Sequence, residues 1–203
     1  MRSHQPIILA VTGGIACGKT EAGRILAEEG FAVLDTDGLA HEVMKAGTPV
    51  FERVVEQFGK TILNADGNVD RAKLGQLIFD DPNQRAVLNR LVHPAVIEAA
   101  EQWKTEQHSD AVVLVPLLFE AGWTEGWDAI VCVSADEENI FQRLEKRGLS
   151  EDEARKRIAA QMPLAEKEAK ADFIIRNNET LDVLQKETLK VIECIRSRGN
   201  AHE

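Results

Sequence analysis

At 203 residues, with 44% hydrophobic and 29% charged side chains, the chain suits one compact α/β domain with inserted sub-regions better than two independent domains. A formal net charge of −10 argues against a general nucleic-acid-binding surface, so any anion must be held by a locally concentrated positive site. Three cysteines, Cys17, Cys132 and Cys194, lack C-x-x-C spacing; they point away from a disulfide framework or structural zinc and toward a reducing compartment. No stretch approaches the ~18 apolar residues of a membrane span, and a cytoplasmic protein is expected.

The first predicted strand, residues 7–11, is too short for a cleavable signal and feeds straight into Gly13-Gly14-Ile15-Ala16-Cys17-Gly18-Lys19-Thr20. That stretch fits the phosphate-loop pattern G-x-x-x-x-G-K-[ST], and residues 21–27 read as the helix that must follow it. Glycines let successive backbone N–H groups turn inward around a phosphate. Lys19 can reach the β/γ-phosphates, the Thr20 hydroxyl can ligate Mg²⁺, and the helix N-terminus adds unpaired donors and a positive dipole end. This segment by itself predicts a bound nucleoside triphosphate.

Residues 31–34 form a second strand, closed by Asp35-Thr36-Asp37. Two strands joined through a helix imply a parallel pair, which puts Asp35 and Asp37 on the carboxyl edge where ligands gather. Moving a phosphoryl group to an alcohol requires a carboxylate near the hydroxyl and often another near Mg²⁺. The alternative is that one of the two caps a helix beginning at Gly38.

Residues 38–110 are mostly helical, with helices predicted over 41–45, 50–58, 71–79, 83–91 and 94–106 and a small Asp-Gly hairpin over 62–69. So long a helical stretch between two strands reads as an inserted cap rather than a connection. Within it, Gly59-Lys60-Thr61 is a decoy, because the first glycine of the loop pattern would be Val54, inside a helix. His93-Pro94 joins two helices, where a lone histidine is more often structural. Asp70-Arg71 after the hairpin reads as a cap with a surface ion pair.

Strands follow at 111–116, 129–133 and 173–175, and a terminal amphipathic helix carries Leu181, Leu184, Val191, Ile192 and Ile195. Between them, residues 136–161 hold Arg143, Lys146, Arg147, Arg155, Lys156 and Arg157, a second positive site. Arg143 and Arg147, spaced i, i+4, are expected on one helix face, where a lid could stabilise charge on a transferring group; a solvated charged face is the plainer alternative. The tryptophans Trp103, Trp123 and Trp127 are read as packing residues. Five β-segments separated by helices make a doubly wound parallel sheet the expected fold.

In order and spacing the chain resembles the dephospho-coenzyme A kinase family nearly end to end. The resemblance is carried by Val11-Thr12-Gly13-Gly14-Ile15 through Thr20, Asp35-Thr36-Asp37 with Ala40-His41, and Asp70-Arg71-Ala72-Lys73-Leu74-Gly75. It continues in Leu91-Val92-His93-Pro94, Val115-Pro116-Leu117-Leu118-Phe119-Glu120, Arg157-Ile158-Ala159-Ala160-Gln161 and Ala171-Asp172-Phe173-Ile174-Ile175-Arg176-Asn177. It implies a P-loop NTPase fold: a five-stranded parallel sheet flanked by helices, with core residues 1–37, 111–137 and 170–203, a CoA-binding insert at 38–110 and a lid at 138–169. The implied reaction is transfer of the ATP γ-phosphate to the ribose 3′-hydroxyl of dephospho-CoA, with ATP and Mg²⁺ required, no nucleic-acid or membrane partner, and a monomer or weak homo-oligomer.

By the same resemblance Gly14, Ile15, Ala16, Cys17, Gly18, Lys19, Thr20 and Glu21 hold ATP, with Arg143 beside it and both Asn177 and Asn178 near adenine. Asp37 is the implied catalytic carboxylate, with Lys19 and Arg147 acting on the phosphate; Thr20 and Asp35 serve the metal; Arg71 and His93 serve the substrate. The chain departs from the family in having Ala16-Cys17 for Gly-Ser and Thr20 for Ser. Cys17 lies near a helix N-terminus, which can lower a thiol pKa, so an oxidation-sensitive loop is one reading and a tolerated small residue the other. Competing functions are another small-molecule P-loop kinase, such as a nucleoside-monophosphate kinase, and a nucleotide-dependent switch. The switch reading expects a guanine-type Asn-Lys-x-Asp motif, which the chain lacks.

Overall fold

The computed structural model describes residues 6–79 and 81–199. Along the chain run β1 (Ile8–Gly13), α1 (Lys19–Glu28), β2 (Ala32–Asp35), α2 (Thr36–Val43), α3 (Pro49–Phe58), α4 (Arg71–Phe79), α5 (Pro82–Thr105), β3 (Ala111–Leu114) and β4 (Ala129–Ser134). They are followed by α6 (Glu137–Glu145), α7 (Glu151–Ala159), α8 (Leu164–Lys170), β5 (Phe173–Arg176) and α9 (Leu181–Gly199). The chain divides into two compact units: Met1–Leu34 with Glu106–Glu203, and Asp35–Thr105.

In the first unit the strands form one sheet in the order β2-β3-β1-β4-β5. β1 pairs in parallel with β3 and β4, with Leu9 opposite both Val112 and Ala129, and β4 pairs in parallel with β5. The expected pairing of β1 with β2 is not found; β3 lies between them. Burial explains the order. Every residue of β3 is buried whereas β2 is only half-buried, so the strand that is apolar on both faces takes the inner position. β1 also runs two residues past its predicted end, because Thr12 and Gly13 pair with Cys132 and Val133. α1 packs on β1, β3 and α9, while α8 packs on β1 and β4. The core includes Leu9, Val11, Ile25, Leu26, Val131 and Ile175.

Carboxylates seal the amino end of this sheet. Asp110 Oδ1 accepts the Ile7 N–H at 3.1 Å, Asp128 Oδ2 that of Ile8 at 2.6 Å, and Asp172 Oδ2 that of Ile130 at 2.7 Å. Each acid immediately precedes a strand and satisfies a backbone donor at or beside the start of a neighbouring one, a group costly to bury unpaired. Trp123 and Trp127, in the β3–β4 connection, meet edge to face with ring centroids 4.7 Å apart, and the Trp127 indole N–H donates to the Trp123 carbonyl at 3.1 Å.

The second unit has its own apolar core, including Val50, Val54, Phe58, Leu74, Leu88 and Val92. Thr48 caps α3 by accepting the Phe51 N–H, with Pro49 in the first turn, the position where a missing N–H costs least. Residues 62–69 hold a single antiparallel bridge, Leu63 to Val69, rather than a ladder, with Gly67 at φ 80° in the turn. The two helices expected at 83–91 and 94–106 are one, α5, with Pro94 inside it. A proline there costs a helix ~3 kcal/mol, but the buried stripe Leu88, Val92, Val96 and Ala100 runs through it unbroken. Packing of that stripe against α2, α3 and α4 outweighs the lost bond. Among the described residues no helix is long and apolar enough to cross a membrane.

Candidate active site

The phosphate loop leaves β1 at Gly13 and enters α1 at Lys19. Gly13 has φ 144°, and a Cβ on it would lie 2.1 Å from the Val133 carbonyl oxygen, so no larger residue fits. Gly18 has φ 104°, and a Cβ there would lie 2.2 Å from the Asn177 amide nitrogen. Between them Ala16 has φ 57°, the one non-glycine residue at positive φ among the described residues. The left-handed region costs an alanine roughly 1–2 kcal/mol. The loop therefore takes at Ala16 a bend that a glycine would adopt freely, and holds it under strain.

Lys19 Nζ donates to the carbonyls of Gly13 and Gly14 at 3.1 and 2.9 Å. The Thr20 side chain is exposed at the start of α1. Glu21 is paired with Arg24 at 2.8 Å. Cys17 is fully buried, and burial pushes its thiol up from its ordinary value against the opposing pull of Lys19. Desolvation of a thiolate outweighs the nearby positive charge, which favours the tolerated small residue over the oxidation-sensitive loop.

Two side chains from outside the motif hold the loop from behind. Arg143, on α6, donates Nη1 to the Ala16 carbonyl at 3.2 Å and Nη2 to the Asn177 carbonyl at 2.7 Å. Asn177, just past β5 and buried, donates Nδ2 to the Cys17 carbonyl at 2.8 Å. Asn178 Oδ1 accepts the Asp136 N–H at 2.7 Å where α6 begins. Arg143 and Arg147 do not share a helix: α6 ends at Glu145, and Arg147 lies exposed in the turn before Gly148. Arg155, in the same basic run, pairs with Glu151 at 2.6 Å and lies 5.0 Å over the Phe141 ring; it follows the plainer reading of a solvated charge.

In the second unit, Asp35 is the N-cap of α2 and accepts the Asp37 N–H at 2.9 Å. The helix therefore begins at Thr36, two residues before the expected Gly38, because the first acid stops its first turn from fraying. Asp37 is exposed in that first turn. Arg71 is exposed at the start of α4, which is capped by Asp70 through the N–H groups of Ala72 and Lys73. His93 is half-buried in α5, directly before Pro94.

The sequence profile of dephospho-CoA kinase matches residues 7–182. The enzyme of that name from Carboxydothermus hydrogenoformans is 42% identical over 191 residues, covering 92% of this chain and 93% of its own. The chain belongs to the dephospho-CoA kinase family. Among solved structures, TT1252 from Thermus thermophilus has TM-score 0.78 at 32% identity, covering 94% of this chain and 97% of its own. The dephospho-CoA kinase from Campylobacter jejuni has TM-score 0.66 at 27% identity, covering 95% and 98%. The architecture expected of the family, a parallel five-stranded sheet flanked by helices, is the one found.

Sequence reasoning missed one buried charge in this family member. Lys167 on α8 is fully buried, with Nζ 2.7 Å from the Pro116 carbonyl and 2.9 Å from Glu120 Oε1. The same Glu120 oxygen accepts the Met162 N–H at 2.8 Å. Leu164, at the head of α8, lies 3.5 Å from where a Cβ on Gly14 would stand. A lysine in a run reading Glu166-Lys167-Glu168 looks solvated in one dimension. The only available signal is the Glu120 that ends an otherwise apolar segment.

Proposed function

We propose that this chain transfers the γ-phosphate of ATP to the ribose 3′-hydroxyl of dephospho-CoA, giving CoA and ADP. The match to the dephospho-CoA kinase family over residues 7–182 carries this reading, and the folded phosphate loop supplies its ATP site. Lys19 leaves the Gly13 and Gly14 carbonyls for the β/γ-phosphates when nucleotide enters. Asp37 receives or orients the 3′-hydroxyl proton, and Asp35 aims it by fixing the first turn of α2. Arg147, exposed and unburdened by helix packing, neutralises charge on the transferring group. Arg71 and His93 in the helical unit, residues 35–105, contact dephospho-CoA, and that unit serves as the CoA-binding insert.

The Thr20 hydroxyl and the Asp35 carboxylate are hard oxygen donors of the kind Mg²⁺ prefers, and few are needed because this ion keeps waters and substrate phosphates as its other ligands. When bound, Mg²⁺ would offset charge on the phosphates. A cytoplasmic setting fits the three free cysteines, and small-molecule substrates without nucleic acid fit the acidic chain.

The test is ADP release by the purified protein with ATP, Mg²⁺ and dephospho-CoA, with adenosine and shikimate as controls. Strong stimulation by dephospho-CoA alone is expected. Equal turnover with shikimate, or none with dephospho-CoA, overturns the assignment.

A further inference from the structure

We infer that Arg143 and Asn177 are positioning residues for nucleotide phosphate, acting through the loop backbone rather than on adenine or the γ-phosphate. The observation is that two consecutive loop carbonyls, those of Ala16 and Cys17, are held by side chains from α6 and the end of β5, at 3.2 and 2.8 Å. A peptide unit is planar, and its carbonyl and the following N–H point to opposite sides. Holding the Cys17 oxygen from behind therefore turns the Gly18 N–H to the concave side of the loop, and holding the Ala16 oxygen does the same for Cys17. With that hold in place the Cys17 N–H makes a long bond within the loop, 3.4 Å to the Gly14 carbonyl.

The two holders are themselves linked, since Arg143 Nη2 donates to the Asn177 carbonyl at 2.7 Å. One planar guanidinium thus spans the loop and the strand end behind it, a geometry a lysine cannot reproduce. The same Asn177 amide nitrogen packs directly on the loop at Gly18, where a Cβ would strike it at 2.2 Å. The clamp matters more in this chain than it would with glycine at position 16. An alanine at φ 57° favours relaxing toward negative φ, which would rotate the Ala16 carbonyl away and withdraw the inward donor; the charge-assisted bond from Arg143 opposes that.

This inference rests on the loop taking nucleotide phosphates, but not on which alcohol accepts one. The experiment measures equilibrium binding of ATP, GTP and inorganic tripolyphosphate, each with Mg²⁺, to wild-type protein, Asn177→Ala and Arg143→Lys, with thermal unfolding run alongside. Asn177→Ala is expected to weaken all three ligands by the same factor, about tenfold, as for loss of a bond supporting a charged ligand. Arg143→Lys keeps the charge and loses the fork, and it is expected to weaken all three equally and severalfold. A loss confined to ATP, with tripolyphosphate unchanged, would make Asn177 an adenine contact and overturn the inference; so would wild-type affinity in both variants. If Asn177→Ala does not fold, Arg143→Lys decides alone. Failure of the acceptor assignment would appear in the ADP assay and leave these affinities untouched.

Discussion

Asp37 owes its exposure to the residue two before it. With Asp35 engaged as the cap of α2, the second carboxylate is presented from a rigid first turn. Asp37→Asn keeps the shape of that turn and removes the proposed base, so turnover is expected to fall at least ~100-fold with ATP binding retained; near-normal turnover in the ADP assay removes Asp37 from the chemistry. Thr12, one residue before the loop, is fully buried with its hydroxyl unpartnered. Thr12→Val preserves shape and removes an unsatisfied group, so denaturant titration should find the variant more stable by roughly 1 kcal/mol; a loss of that size would show that the hydroxyl is bonded in solution. At this scale much was legible. Gly13, Gly18, Lys19 and the acidic pair announce themselves by type and spacing. Cys17 stayed open between two readings because a linear reading sees the helix end one residue away but not the burial of the sulfur. The duties of Arg143 and Asn177 were hidden for a related reason: both reach the loop from more than a hundred residues away in sequence, separations of 127 and 160.

Among the elements, α8 shows most clearly what periodicity conceals. Seven residues, Leu164–Lys170, offer too few turns for a stripe to emerge, and the chain reads as charged. Yet Lys167 ties it to the Pro116–Glu120 stretch and, through Glu120, to Met162. Glu120 is itself partly exposed, so removing its charge leaves the buried ammonium with the Pro116 carbonyl as a partner, at a cost of ~1–3 kcal/mol. Glu120→Gln is therefore expected to lower the unfolding free energy by about that much, while Glu120→Leu with Lys167→Met recovers most of it. A double variant as unstable as the single one would show that packing, not charge, accounts for the loss. α5 gives the opposite lesson. His93-Pro94 is a sound local stop signal, overridden because four buried residues spaced by four continue across it. α7 follows the local rule, starting after Ser150 with the reciprocal Glu153 bonds of a capping box.

For the molecule as a whole, the strands, their parallel sense and the helical insert could be read from apolar runs, but the strand order could not. The all-apolar run of β3 marks it as an inner strand, but no local pattern says that it lies between β1 and β2. Alkaline pH tests the resulting core globally. Burial pushes the Cys132 thiol from an ordinary 9.0 up to about 12, so between those values the unfolded chain loses a proton that the folded chain retains. The unfolded state then binds fewer protons, and stability must fall as pH rises. The contribution is up to roughly 1.4 kcal/mol per pH unit for each such thiol, and Cys17 acts in the same sense. Comparing wild type with Cys132→Ala isolates the effect: the variant should gain relative stability steadily from about pH 9 upward, and parallel pH profiles would contradict a deeply buried sulfur. The edge-to-face Trp123–Trp127 pair, 4.7 Å apart between ring centroids, gives this chain a built-in optical gauge. Two indoles so close couple their transitions, and their near-ultraviolet circular dichroism and fluorescence report on the connection that carries Glu120. The order of the Lys167 anchorage can thus be followed in the unlabelled protein, in real time, while nucleotide is added.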